Sequence, residues 1–382
     1  MKITDLKVYL TDPEVPDGRR RTWTFLKLET DEGIYGWGEA SNYPGGGSFI
    51  VGNTLQFLKE ALLGEDPNNI EALWQKLYRR FTYLGSRGMA TTVISGINIA
   101  LWDIKGKALG RPVYDLLGGP VRDSVPTYAN GWFTGCQTPQ DYARAAKQTI
   151  AKGYTALKMD PFLEMRPFHT AYMSGNISAL GEQLGIDITA AVREAVGPHV
   201  EVLIDCHGHY NVPTAVRLAH RLAEYKIGWF EEPVPPESYA ALQQVRKEVP
   251  VPICVGERLF TRFDFLPVFE GRLADYIMPD VLWTGGISEL RKIAAMAEAY
   301  YIPISPHNAM GPIQIVAGAH VMTTVPNFYR LEFSLAALES YNACINPPLD
   351  IRSGTLYLSN RPGLGIDLNE EYIRTHPVPG WQ

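Results

Sequence analysis

The sequence predicts an α/β protein in which a (β/α) barrel follows an N-terminal α+β unit. Three observations predict it. From about residue 125, short apolar runs alternate with amphipathic helices. The runs are VPTYAN, TALKMD, VEVLIDCH, IGWFEEP, PICVGER, ADYIMPD, IPISPH and YRLEF, with helical stretches such as AVRLAHRLAEY and ELRKIAAMAEAY between them. Strand–helix alternation repeated this often means βαβ units and a parallel sheet, and eight such strands close a barrel. Nearly every run also finishes in a titratable residue, as strands do when their C-terminal ends build a site. Finally, 382 residues suit one barrel of roughly 250 residues with a further unit attached.

The elements follow in order. Over residues 2–10, Leu6, Val8 and Leu10 alternate with Lys7 and Tyr9, a strand pattern. Over 22–30, Trp23 and Phe25 alternate with Thr24, and then Leu26 and Leu28 flank Lys27. The phase slips by one at Phe25-Leu26, so this strand is less cleanly patterned. Asp31-Glu32-Gly33 supplies a turn into IYGWGEA, which predicts a hairpin. Residues 41–52, rich in Gly, Ser and Asn, read as a mobile loop. Helical spacing runs from Leu55 to Leu117, and LGG at 117–119 stops it. The expected organisation is an α+β domain over 1–124, the barrel over 125–350, and a Pro- and Gly-rich segment, 351–382, that packs back on the first domain. The stretch 161–185 is longer than an ordinary βα loop and reads as pocket wall or subunit contact.

Composition narrows the function. Apolar residues make up 46% and charged residues 20%, and the formal net charge is −6. Such a chain has no strong positive field for nucleic acid or an anionic membrane. A carboxylate substrate would instead be steered by local charge, for instance a bound cation. MKITDLKVYL has no apolar signal region, and no run approaches the roughly 18 apolar residues of a spanning helix. Cys136, Cys206, Cys254 and Cys344 are widely spaced, which predicts reduced thiols in a cytoplasmic protein.

The chemistry concentrates at the strand ends: Lys158 and Asp160, Asp205 and His207, Glu231 and Glu232, Glu257, Asp280, His307, and Glu332. In a parallel barrel these all open on one face. Asp205, Glu231 and Glu257 fall on successive strands at equal intervals, since 231 − 205 and 257 − 231 are both 26. Three converging carboxylates cannot all stay ionised without a cation. Hard oxygen ligands select Mg²⁺, one per subunit, over Zn²⁺, for which a third or fourth soft ligand is missing. Asp280 and His307 end adjacent strands, so the carboxylate can accept one imidazole N–H and raise the basicity of the other nitrogen. His207 lies two residues after Asp205 and shares its face of the strand. Lys158 alone would also suit a Schiff-base aldolase, a reading that the three carboxylates disfavour.

Taken together, SGINIALWDIKGKALGRPVYDLLGG (95–119), WFEEP (229–233), GER (256–258), PD with TGGI (279–287), PH (306–307) and PGLGI (362–366) resemble the enolase superfamily, specifically its mandelate racemase subgroup. The resemblance covers nearly the whole chain. It implies a modified TIM-type (β/α)7β barrel under an N-terminal α+β capping domain. Within the subgroup, Asp205-Cys206-His207 with Asp280, His307 and the stretch GERLFTRFDF (256–265) resembles D-galactonate and D-gluconate dehydratases.

The resemblance implies that Asp205, Glu231 and Glu257 bind Mg²⁺. His307, paired with Asp280, would take the C2 proton, and His207 would protonate the departing 3-hydroxyl. Glu332 would hydrogen-bond a carboxylate oxygen of the intermediate, and Lys158 would add positive charge. Racemases of the subgroup carry a second lysine where this chain has Asp160 in Lys158-Met159-Asp160. A racemase or epimerase using His207 and His307 as two bases is the second reading, and a non-catalytic relative the third. Asp160, His209 (where the family often has Arg), Asn308, Trp23, Asn42 and Tyr43 are candidate substrate contacts. The partners expected are a small sugar acid and further copies of the chain, since relatives of this kind often form homo-oligomers.

Overall fold

The protein, as a computed structural model, is described for residues 1–13, 22–42, 47–166 and 174–381. Three antiparallel strands open the chain: β1 (Ile3–Thr11), β2 (Trp23–Thr30) and β3 (Tyr35–Glu39), in that spatial order. The central strand β2 is covered on both faces, which explains its slipped alternation. Leu26 and Leu28 enter the core of the N-terminal unit, whereas Trp23 and Phe25 enter the larger core that continues into the barrel. Both faces must then be apolar, and simple alternation is lost.

Helices α1 (Gly47–Leu62), α2 (Ile70–Arg80) and α3 (Met89–Leu109) complete this unit. The loop expected over 41–52 is corrected here: residues 47–52 already belong to α1. Gly52 is there for packing, because a Cβ would come within 2.6 Å of the Trp381 ring. Helix α3 lies directly on β3. A Cβ on Gly38 would stand 2.0 Å from the Gly96 carbonyl oxygen, and one on Gly36 2.1 Å from that of Ala100. The one-turn α4 (Val113–Leu116) follows and ends before Gly118 and Gly119, both at positive φ.

The barrel begins with β4 (Val125–Asn130). Strands β5 (Ala156–Met159), β6 (Glu201–Asp205), β7 (Trp229–Glu231), β8 (Ile253–Val255) and β9 (Tyr276–Ile277) add in sequence order, all parallel. Strand β10 (Leu331–Ser334) pairs in parallel with β4 and closes the ring. The stave between β9 and β10 is Ile304 alone, bridged to Ile277 on one side and Phe328 on the other. Pro303 and Pro306 flank it and lack the N–H groups that a longer ladder needs. The intervening helices include α5 (Pro139–Ile150), α6 (Ala179–Val196), α7 (Val212–Leu222), α8 (Tyr239–Glu248), α9 (Thr261–Glu270), α10 (Ile287–Ala299) and α11 (Pro312–Thr323). The long connection after β5 holds a 3-10 turn at Leu163–Met165 and then the start of α6; its residues 167–173 lie outside the described residues.

The end of the chain makes two attachments. A hairpin over residues 350–357 pairs with Val125 and Pro126 at the foot of β4. Farther on, Leu364 N donates to Asp103 in α3 at 2.8 Å, and Val378 N to the Leu10 carbonyl of β1 at 3.0 Å. The N-terminal unit meets the loop after β9 and the start of α10 at the strand-end face: Trp74 Nε1 donates to the Gly285 carbonyl at 2.9 Å, and Asn98 Nδ2 to Ser288 Oγ at 3.0 Å. The fold is therefore the expected α/β barrel with an N-terminal cap. Among the described residues, no helix is long and apolar enough to cross a membrane.

Candidate active site

The strand ends bring the predicted residues together beneath the cap. Asp205 ends β6, Glu231 ends β7, and Glu257 follows β8 by two residues. All three are buried, and one carboxylate oxygen from each lies within 4.8 Å of the others. Lys158, on β5, is fully buried among them. Its Nζ is 3.1 Å from Asp205 Oδ2, 2.7 Å from Glu231 Oε1 and 3.0 Å from Glu332 Oε1. Burial alone would lower the Lys158 pKa, but the Asp205, Glu231 and Glu332 charges hold it well above its ordinary value. Glu231 is raised as well, which for a carboxyl disfavours the charged form: burial and then the Asp205 charge push it well above the carboxylate range. One ammonium thus does not satisfy the cluster. Among the described residues, Glu257 Oε2 is buried without a hydrogen-bond partner. Three hard oxygen donors with an unmet demand for positive charge fit a divalent cation of the Mg²⁺ type.

Glu232, the other acidic residue of WFEEP, lies just past β7 at φ +40 and pairs with Arg258.

His307 stands across the barrel mouth from His207. Its stave is the seventh and β6 is the third, four apart in a closed ring of eight. His307 Nδ1 is 2.6 Å from Asp280 Oδ2, and Nε2 faces Glu257 Oε2 at 3.4 Å. Burial lowers the imidazole pKa, but the Glu332, Glu257 and Asp280 carboxylates outweigh it and push it up to about 9. The Trp283 ring lies against His307, centroids 5.1 Å apart.

His207, half-buried at φ +49, places Nδ1 3.4 Å from Asp205 Oδ1 and 3.7 Å from Asp160 Oδ2. Burial raises Asp160 to about 6 against the opposing pull of His207. His209 stacks on His207 at 5.7 Å, and burial followed by the His207 charge lowers it to about 4. A neutral imidazole can both donate and accept a hydrogen bond, where a guanidinium only donates and brings a fixed charge.

Glu332, on β10, accepts from Lys158, from Asn130 Nδ2 at 2.6 Å and from Asn308 N at 3.0 Å. Among the described residues, Asn308 Oδ1 is buried without a hydrogen-bond partner. Trp23 is not brought to the mouth: it is buried and stacked on Tyr341 at 5.4 Å, because β2 turns that face to the interior. Asn42 is half-buried beside Ser41, and Tyr43 lies outside the described residues. Sequence reasoning missed Asn130, Trp283 and Gln314. Asn130 ends VPTYAN and obeys the same strand-end rule. Gln314 was visible as a polar residue in the otherwise apolar PIQIVAGA.

This geometry can be set beside known proteins. The family model described as mandelate racemase / muconate lactonizing enzyme, N-terminal domain, matches residues 17–118, and the one described as enolase C-terminal domain-like matches 141–372. The chain belongs to the enolase superfamily. Its place is in the mandelate racemase/muconate lactonizing enzyme family. D-galactonate dehydratase of Pectobacterium atrosepticum is 37% identical, with 100% of this chain and 96% of that protein covered. D-gluconate dehydratase of Thermoproteus tenax is 34% identical, covering 94% of this chain and 71% of that protein. A solved structure of a mandelate racemase/muconate lactonizing enzyme-like protein from Rubrobacter xylanophilus DSM 9941 has a TM-score of 0.90 at 35% identity, covering 100% of this chain and 98% of that one. Within this superfamily, the cluster of Asp205, Glu231 and Glu257 and the paired imidazoles occupy the face where barrel enzymes place their chemistry.

Proposed function

We propose that this enolase-superfamily enzyme is a hydro-lyase that dehydrates a sugar acid, of D-galactonate or D-gluconate type, to a 2-keto-3-deoxy acid. The observation that carries the reading is the pair of imidazoles on opposite staves, with the carboxylate cluster and Lys158 between them. Asp205, Glu231 and Glu257 would hold Mg²⁺, which when bound supplies the positive charge that acidifies the proton beside the substrate carboxylate.

His307 takes the C2 proton at Nε2, while Asp280 holds the Nδ1–H and fixes the ring. Lys158 keeps a permanent cation beside the developing enediolate. The electron pair then expels the 3-hydroxyl, and His207 donates the proton that lets it leave as water. The resulting enol tautomerises to the keto acid. His209 and Asn308 would contact substrate hydroxyls. An ionised carboxylate only accepts, so hydrogen-bonding a carboxylate oxygen of the intermediate would require a proton on Glu332. The similarity to named dehydratases supports loss of water over racemisation. The opposed histidines also suit a two-base epimerase, and that is the second reading.

The test is a screen of C5 and C6 aldonic and aldaric acids with Mg²⁺, trapping 2-keto-3-deoxy acid as a semicarbazone. Turnover of one or a few acids, abolished by EDTA and by His307→Asn, is expected. Failure with every acid would end the dehydratase reading, and deuterium entering recovered substrate without keto product would favour the epimerase.

A further inference from the structure

The carboxylate that backs His307 is itself held by the following helix, and that helix is held by the cap. Asp280 Oδ2 accepts from His307 Nδ1 at 2.6 Å and from Gln314 Nε2 at 2.7 Å, while Oδ1 accepts from Leu282 N at 2.7 Å. Gln314 lies in the first turn of α11, a helix buried along its whole length. Its amide has one sense only, because Oε1 accepts from Met310 N at 2.7 Å and leaves Nε2 for Asp280.

The backbone of the same turn is gripped from the cap. Glu39, the last residue of β3, accepts from Gly311 N at 2.7 Å and from Gln314 N at 3.0 Å, one with each oxygen. One carboxylate thus satisfies two N–H groups that a helix start leaves open. Gly311 is required here, since a Cβ would lie 2.4 Å from Glu39 Oε1. Glu39 is fully buried, and burial pushes its carboxyl up to about 7. A second contact from the cap reaches His307 through its ring neighbour: Trp283 Nε1 donates to the Ser41 carbonyl at 3.2 Å.

We propose that Gln314 is a positioning residue for the His307–Asp280 pair, and that Glu39 couples that pair to the seating of the cap on the barrel. The amide fixes the plane of the Asp280 carboxylate, which in turn aims the imidazole Nε2 at the carboxylate cluster. A cap out of place would release the first turn of α11, and with it the donor to Asp280. The role of the pair as base rests on the dehydratase reading above; the hydrogen-bond arrangement does not.

The experiment uses the full chain with ¹⁵N-labelled histidine rings. The wild type is expected to show a strongly deshielded His307 Nδ1–H proton, assigned by its loss in His307→Asn. Gln314→Met, similar in volume but without the amide, should shift or broaden that resonance. Should that variant not fold, the isosteric Gln314→Glu is read in the same way. Glu39→Gln should give a smaller change in the same direction. In turnover, Gln314→Met should lower kcat roughly 10- to 100-fold with little change in KM, and should add little to the loss caused by Asp280→Asn. A resonance left in place, or equal losses with and without Asp280, would overturn the proposal. A wild type that turns over no sugar acid would end the dehydratase reading while the resonance still judged this one.

Discussion

Lys158 is the residue on which the balance of the mouth turns. Its ammonium touches Asp205, Glu231 and Glu332, all buried. Removing one partner from a buried charge set leaves the others uncompensated, at a cost of about 3–5 kcal/mol. Lys158→Met is therefore expected to lower the melting temperature of the metal-free protein sharply. Added Mg²⁺ should recover more of that loss than it adds to the wild type. Differential scanning calorimetry with and without Mg²⁺ measures this, and an unchanged metal-free transition would contradict it. At this scale much was legible. The 26-residue spacing of Asp205, Glu231 and Glu257 and the strand-end positions of Asp280, His307 and Glu332 located residues that the fold brings together. Trp23 was misplaced because a bulky aromatic near a loop reads alike whether its strand turns it to a pocket or to a core. Gln314 was missed because a single amide in an apolar helix carries no spacing signal of its own.

The elements show why some boundaries were harder to read than their existence. Strand β2 loses its alternation because both faces are covered, and the Ile304 stave shrinks to one residue because prolines bracket it. The glycines of β3 look like weak strand residues in sequence, yet they are what let α3 rest on the sheet backbone. Gly38→Ala would drive a methyl to 2.0 Å from the Gly96 carbonyl oxygen, and the helix would have to lift. The expected cost is about 1–3 kcal/mol, read as a lower urea midpoint. Because α3 also carries Asn98, which holds Ser288 beyond the Asp280 loop, activity should fall along with stability. An unchanged midpoint would show that α3 does not sit as closely as described.

For the whole molecule, the ring of eight staves turns residues scattered over more than 170 positions, from Lys158 to Glu332, into one site. Strand–helix alternation made the barrel legible. The seating of the cap was not, since contacts such as Glu39 with α11 join segments about 270 residues apart, and no local pattern encodes them. The central claim is that His307 abstracts the C2 proton and His207, on the opposite stave, supplies the proton for departing water. It is tested most directly by ¹H NMR of a substrate sugar acid incubated with enzyme and Mg²⁺ in deuterated water. The wild type is predicted to form the 2-keto-3-deoxy acid, His207→Asn to exchange the C2 proton for deuterium without losing water, and His307→Asn to do neither. Exchange or dehydration that survives in His307→Asn would contradict the account.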